Sequence, residues 1–325
     1  MKEVVFVRQN RGKWKRYEDC LKKIGQQSPD DLANIFIDIT NDLSFAQSHY
    51  PNSRIYLYLN SLSVGLHQFI NRKKKEKFSR IVTYWKQEVP LIMYSARKEL
   101  LYSFLIFAIS VLIGVFSTAV DEDFSRLIMG DRYIDMTLRN IERGDPMAVY
   151  KEMNSGIMFF RITVNNIKVS FSIFISGIFT SIASAYMLLR NGIMIGCFQY
   201  FCYDYGQLKE SLLTLWIHGI LEISAIIVAG AAGIIMGNGW LFPGTYSRIV
   251  SFRKNAQRGM KIIVGAIPIL VIAGFLESFV TRHTELPDLV RAAIILLSLS
   301  FVIFYYIIYP KTIARHFERS EESNK

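Results

Sequence analysis

From Leu212 to Gly239 the chain runs for 28 residues in which His218 and Glu222 are the only ionisable side chains. A bilayer core holds no water to satisfy peptide groups, so such a stretch crosses it only as a helix. At 1.5 Å per residue it also exceeds the roughly 30 Å of hydrocarbon. The run predicts a transmembrane helix, and the other apolar runs follow. Spans are predicted at about 101–120, 167–189, 191–206, 212–237, 262–280 and 289–309. The predicted fold class is all-α: a polytopic helical membrane bundle of about six transmembrane helices, preceded by a small helical cytosolic domain.

Composition agrees with a membrane protein. Hydrophobic residues make up 51% of the 325 and aromatics 14%, above an ordinary soluble domain, and they are clustered. A formal charge of +11 raises nucleic acid as a partner, but its distribution points elsewhere. Residues 1–99 carry 18 Lys/Arg against 10 Asp/Glu, 240–261 carry 5 against none, and 121–166 carry 6 against 8. Basic segments alternating with an acidic one across apolar spans follow the positive-inside rule. This charge holds a topology, and no nucleic-acid partner is expected. The pattern makes 121–166 an external excursion and 240–261 a cytoplasmic loop. It also makes 191–206, short and carrying Gln199 and Asp204, a crossing rather than a re-entrant hairpin. Both termini are then cytoplasmic. No early apolar segment resembles a signal peptide, so the first span is expected to act as its own anchor. Cys20, Cys197 and Cys202 form no C-x-x-C pair, which argues against a disulfide framework or a zinc knuckle.

Ser28-Pro29-Asp30-Asp31 reads as a helix start, with a Ser cap, Pro at the first position and acids at the positive end of the dipole. Leu32, Ile35, Phe36, Ile39 and Leu43 recur at helical spacing. After Pro51 so do Ile55, Leu59, Leu62, Leu66 and Phe69, predicting two amphipathic helices packed on each other. Basic residues 72–77 and the segment with Tyr84, Trp85, Arg97 and Lys98 are suited to anionic headgroups. The domains are therefore drawn as 1–99 cytosolic and juxtamembrane, 100–310 membrane, and 311–325 a cytosolic tail. Pro268 predicts a kink in its span.

An acidic side chain at the bilayer centre costs about 2.5–3.5 kcal/mol on insertion scales, so a chain carrying one pairs it, neutralises it or uses it. His218 and Glu222, four apart, share a helix face. In the predicted topology they fall in the outer half of the bundle, with Glu277, Asp204, Asn165 and Asn166 at the same level. The expectation is a shared intramembrane polar site. Below it Ala225, Ala229, Gly233 and Gly237 repeat every four residues, a small-residue stripe that lets helix backbones approach. No H-E-x-x-H, no second intramembrane histidine, no Ser-His-Asp order and no phosphate-cradling glycine loop is present. Neither a catalytic residue, a metal nor a cofactor is therefore expected. His218, Glu222 and Glu277 as a three-ligand hydrolase centre is the least favoured reading.

The chain resembles the stage II sporulation protein M family of bacterial integral membrane proteins. The resemblance rests on Asn191-Gly192-x-x-x-Gly196, read as a turn between two spans, and on His218-Gly219-x-x-Glu222-x-x-Ala225 followed by Ala229-Gly230-Ala231-Ala232-Gly233. Phe275-Leu276-Glu277-x-Phe279-Val280-Thr281 adds to it. In the soluble part Asp42-Leu43-x-Phe45-Ala46 and Tyr50-Pro51-x-Ser53 are similar to longer members from non-sporulating bacteria. The resemblance implies a cell-envelope protein of the bacterial cytoplasmic membrane. In spore formers the namesake works with peptidoglycan-degrading partners as a membrane component and not as the hydrolase. The functional expectation is a non-enzymatic envelope protein that contacts membrane lipids and assembles with membrane or cytosolic proteins or as a homo-oligomer. The alternative is a proton-coupled or lipid-handling transporter using Glu222 and His218.

Overall fold

A computed structural model describes residues 3–22, 29–70, 78–143, 154–283 and 286–323, helical almost throughout, in two compact units, Met1–Ser79 and Arg80–Lys325. In the first unit α1 (Glu3–Lys22), α2 (Pro29–His49) and α3 (Arg54–Ile70) enclose Phe6, Trp14, Ile39, Ala46, Leu59, Leu62 and Leu66. The helical spacings of α2 and α3 supply four of these, Ile39, Leu59, Leu62 and Leu66; Ala46 adds to them from α2, and Phe6 and Trp14 come from α1. Trp14 is 2% exposed, and its indole N–H donates to Asp42 at 2.7 Å. The same carboxylate takes Lys13 at 2.6 Å. Ser28 and basic residues 72–77 lie outside the described residues, as does the Phe69 side chain.

The second unit opens with α4 (Phe78–Thr83), a π-helical turn (Tyr84–Glu88) and α5 (Val89–Ser95). Then come α6 (Arg97–Val120), α7 (Asp123–Met129), α8 (Asp131–Glu142), α9 (Ser155–Ser176), α10 (Ser181–Asp204) and α11 (Leu208–Leu241). The chain closes with α12 (Arg248–Phe275), which contains Pro268 and runs into a π turn (Leu276–Val280), then α13 (Asp288–Ile303), a third π turn (Phe304–Ile308) and α14 (Tyr309–Ser323). Two of the π turns end two residues before a proline, Pro90 and Pro310. A proline there lacks its N–H and crowds the carbonyl four residues back, and the wider turn accommodates both.

Among the described residues six helices are long and apolar enough to cross a membrane: Arg97–Val120, Ser155–Ser176, Ser181–Asp204, Leu208–Leu241, Arg248–Val280 and Asp288–Arg319. Most residues of α11 are buried. It packs against α6, α9, α10, α12 and α13, which is why its sequence is apolar on every face. By contrast α13 buries only Arg291 and Ser298.

Several sequence-drawn boundaries move. The second and third spans part at residues 177–180 and not at 190–192. Asn191, Gly192 and Gly196 are therefore no turn but mid-helix residues of α10. A Cβ added at Gly192 would meet Ser110 Cβ at 2.5 Å, and one at Gly196 would overlap the Val111 carbonyl. The glycines are contact points with α6, the small-x-x-x-small device of membrane helices. The true break is made by Thr180, whose hydroxyl accepts from the Ala183 N–H at 3.2 Å, a Thr cap starting a helix. The excursion drawn as 121–166 is shorter, since 155–166 begin α9; Gly144 and Pro146 lie outside the described residues. The domain boundary drawn at 99 falls between Ser79 and Arg80. Residues 84–95 pack against protein: Trp85 donates to the Gly265 carbonyl at 3.2 Å, Tyr305 to that of Trp85 at 3.0 Å, and Tyr309 to that of Lys86 at 3.1 Å. The segment drawn as the tail from 311 is helical, as part of α14, through Ser323.

Candidate functional site

The small-residue stripe sets the approach of the helices around the site. Ala225 and Ala229 are fully buried. Cβ atoms at Gly233 or Gly237 would overlap the Ser184 hydroxyl and the Ser181 backbone. The α9–α10 connection thus lies directly on the second half of α11. The first half of α11 then meets the middle of α9, the later part of α10 and the π turn that ends α12.

His218, Glu222 and Glu277 converge at that level. His218 Nδ1 lies 3.0 Å from the Thr281 hydroxyl, and its Nε2 lies 3.8 Å from a Glu277 carboxylate oxygen. One polar atom from each of His218, Glu222 and Glu277 lies within 4.8 Å of the other two. The Asn166 amide, on a residue only 5% exposed, lies beside Glu222, but its Nδ2 falls short of a formed hydrogen bond. Two charged carboxylates this close, at an effective dielectric of about 20, repel by about 3 kcal/mol or more. A proton, a cation or a cationic group between them removes that repulsion.

These groups floor a cavity of about 420 Å³. Asn165, Asn191 and Gln199 add polar groups to its lining, and Ile195, Phe198, Trp216 and Ile226 apolar ones, with Gly219 between. Asn165 is exposed and stands at the rim. Ile128, Met129 and Tyr133 of α7–α8 close one end, held there by the contact of Ile134 with Phe201 and Cys202. Desolvation against α10 pushes the Tyr133 phenol up to about 12, so it meets the cavity as a neutral hydroxyl. Gly219 has nothing within 4 Å of where a Cβ would stand, so its missing side chain widens the cavity and serves no packing. Polar floor, apolar wall and this volume are the usual composition of a small-molecule site.

Of the residues singled out from sequence, His218, Glu222, Glu277, Asn165 and Asn166 are brought together. Asp204 is not: it lies exposed at the last position of α10 and does not line the cavity. Thr281, Asn191 and Gln199 complete the site; in sequence Asn191 and Thr281 stand in motifs and Gln199 is noted only as polar, and none of them is assigned to the site. The Asn191 amide finds a partner within its own helix, donating to the Met187 carbonyl at 2.8 Å. Another buried ionic group was also missed, at the end of the bundle where α11 and α13 begin. Arg291, 6% exposed in its side chain, binds Glu210 at 2.7 Å and Asp288 at 2.6 Å.

Fold and site define a polytopic helical membrane protein built around one buried helix, with a polar cavity among its spans. Residues 103–282, more than half of the chain, match the family model of stage II sporulation protein M, and the chain belongs to that family. Residues 4–72 match a domain of unknown function, DUF8413. No curated protein and no solved structure matches the chain.

Proposed function

We propose that this protein is a non-enzymatic component of the bacterial cytoplasmic membrane that binds the polar head of an amphiphile in its intramembrane cavity and works in an assembly with partner proteins. The observation that carries the reading is the meeting of His218, Glu222 and Glu277 at the floor of a cavity whose wall is apolar. The carboxylates complement a positive charge or hydrogen-bond donors, and the wall complements an acyl or other apolar body. In this reading the cavity faces the outer leaflet and both termini are cytoplasmic. Support comes from the basic first half of α12 packing against residues 84–95, which also meet the start of α14: Arg258 binds Ser95 at 2.8 Å, Lys261 binds Glu88 at 3.1 Å and Tyr309 donates to the Lys86 carbonyl at 3.1 Å.

A specific observation favours a second reading, proton-coupled transport through Glu222. Thr163, Asn166 and Ser170 lie on one buried face of α9, and each has a side-chain atom without a hydrogen-bond partner. Such polar groups on the face of α9 that meets Glu222 could hold water beside the acid, and ionisable residues within spans mark proton and ion pathways.

The test uses full-length protein reconstituted with a photoactivatable phospholipid. Crosslinks should map to Trp216, Phe198 and neighbouring wall residues. Gly219→Leu, which projects into open space, should abolish them with an unchanged melting temperature. Equal crosslinking in wild type and Gly219→Leu contradicts the binding reading. A proton flux that disappears in Glu222→Gln supports the transport reading instead.

A further inference from the structure

One imidazole and two carboxylates, His218 and Glu222 from one turn of α11 and Glu277 from the π turn after α12, come together around a common point. With their polar atoms within 4.8 Å of one another, that point lies at most about 2.8 Å from each. Zinc bonds to nitrogen and carboxylate oxygen run at roughly 2.0–2.2 Å, so side-chain shifts of under about 1 Å close all three. The imidazole is also held as a metal-binding histidine is held. Its Nδ1 is engaged by Thr281 at 3.0 Å, and with that hydroxyl accepting, Nε2 presents its lone pair toward Glu277. Fixing the second ring nitrogen sets tautomer and orientation in metal sites generally.

Asn166 is an independent observation. It is 5% exposed, and its amide lies beside Glu222 without the geometry of a formed hydrogen bond. That donor is placed for a Glu222 oxygen redirected toward a metal, or for a group bound to one. Gly219 leaves the cavity side of the cluster open, where a fourth ligand would enter, as in zinc sites with three protein ligands. Calcium and magnesium favour all-oxygen sets, whereas one histidine with two carboxylates suits zinc, manganese or ferrous iron.

We propose that His218, Glu222 and Glu277 bind a divalent transition-metal cation of the zinc class, with an open position facing the cavity. This rests on the reading of the cavity as a binding site and names the positive charge at its floor.

The experiment strips the full-length protein in detergent with a chelator and titrates it with Zn²⁺ and, separately, Co²⁺. The result expected is one equivalent per chain, visible Co²⁺ absorption and a higher melting temperature of the unmutated protein, since a ligand of the folded state raises stability. Thr281→Val should weaken binding about 10- to 100-fold, and the His218→Ala/Glu277→Gln double variant should abolish it. The thermal shift of the wild type needs no variant, so a misfolded mutant does not blind the test. Absence of both the shift and the Co²⁺ signal in wild type overturns the proposal, as does unchanged binding in the double variant. Phospholipid crosslinking without metal binding overturns the cation alone. Stoichiometric metal without crosslinking supports the cation and removes the amphiphile.

Discussion

At His218 the difference between a helix decoration and a site is made by Thr281. Four-residue spacing pairs the histidine with Glu222 on one face, but the hydroxyl that orients the ring lies 63 positions away on the connection after α12. His218→Ala strands that hydroxyl and removes the imidazole beside Glu277. The expected loss is about 1–3 kcal/mol, the penalty for unsatisfied buried polar groups, read by thermal denaturation in detergent. Glu222→Gln keeps shape and removes charge, so its melting temperature should stay at or above that of wild type. A fall comparable to that of His218→Ala would show that the carboxylate is paired by a positive charge even in the ligand-free protein. Ionisable residues in apolar runs are legible because their desolvation demands a reason. Thr281 was not legible, since a threonine near a helix end has many ordinary uses. Asp204 was misread because depth in a span is visible in sequence, but which face of α10 meets the bundle is not.

At the scale of elements, the glycines of α10 carry the lesson. Asn-Gly is a strong turn signal in water, yet Gly192 and Gly196 sit mid-helix against Ser110 and Val111 of α6. The four-residue spacing was the better guide. Gly196→Leu forces backbone of α6 and α10 apart and should destabilise the bundle by at least about 2 kcal/mol, as overpacking does. Gly219→Leu should be nearly neutral because its side chain enters the cavity. Similar melting temperatures for the two variants would contradict this division of glycine roles. The start of α9 was hidden for a related reason. Arg161, Asn165 and Asn166 lower the hydropathy of 155–166, so the segment looks like a loop, while Thr163, Asn166 and Ser170 turn to the protein interior. In the first unit the core spacing of α2 and α3 was legible, but Trp14 was not, because α1 is polar overall. Asp42→Ala leaves the buried indole N–H without its acceptor and should cost that unit about 1–3 kcal/mol. Tryptophan fluorescence during denaturation follows it.

For the whole molecule, the number of spans was legible from apolar length, because a bilayer sets that length independently of sequence detail. The break between the second and third spans and the docking of residues 84–95 were not, since both depend on tertiary partners. An even number of crossings places both termini on one side. Single cysteines at Asp131→Cys and Ser247→Cys, both exposed positions, should label from opposite faces in a chain otherwise freed of Cys20, Cys197 and Cys202. Labelling of both from outside would reverse the assignment of the basic 240–261 segment. The central claim is that the space among α9, α10 and α11 is a binding site with His218, Glu222 and Glu277 at its floor. An experimental density map of the full-length protein in lipid tests it most directly. The account predicts an open cavity with non-protein density contacting these three side chains. A cavity collapsed onto itself, with the three side chains turned apart and apolar residues filling the space beside Gly219, would contradict it.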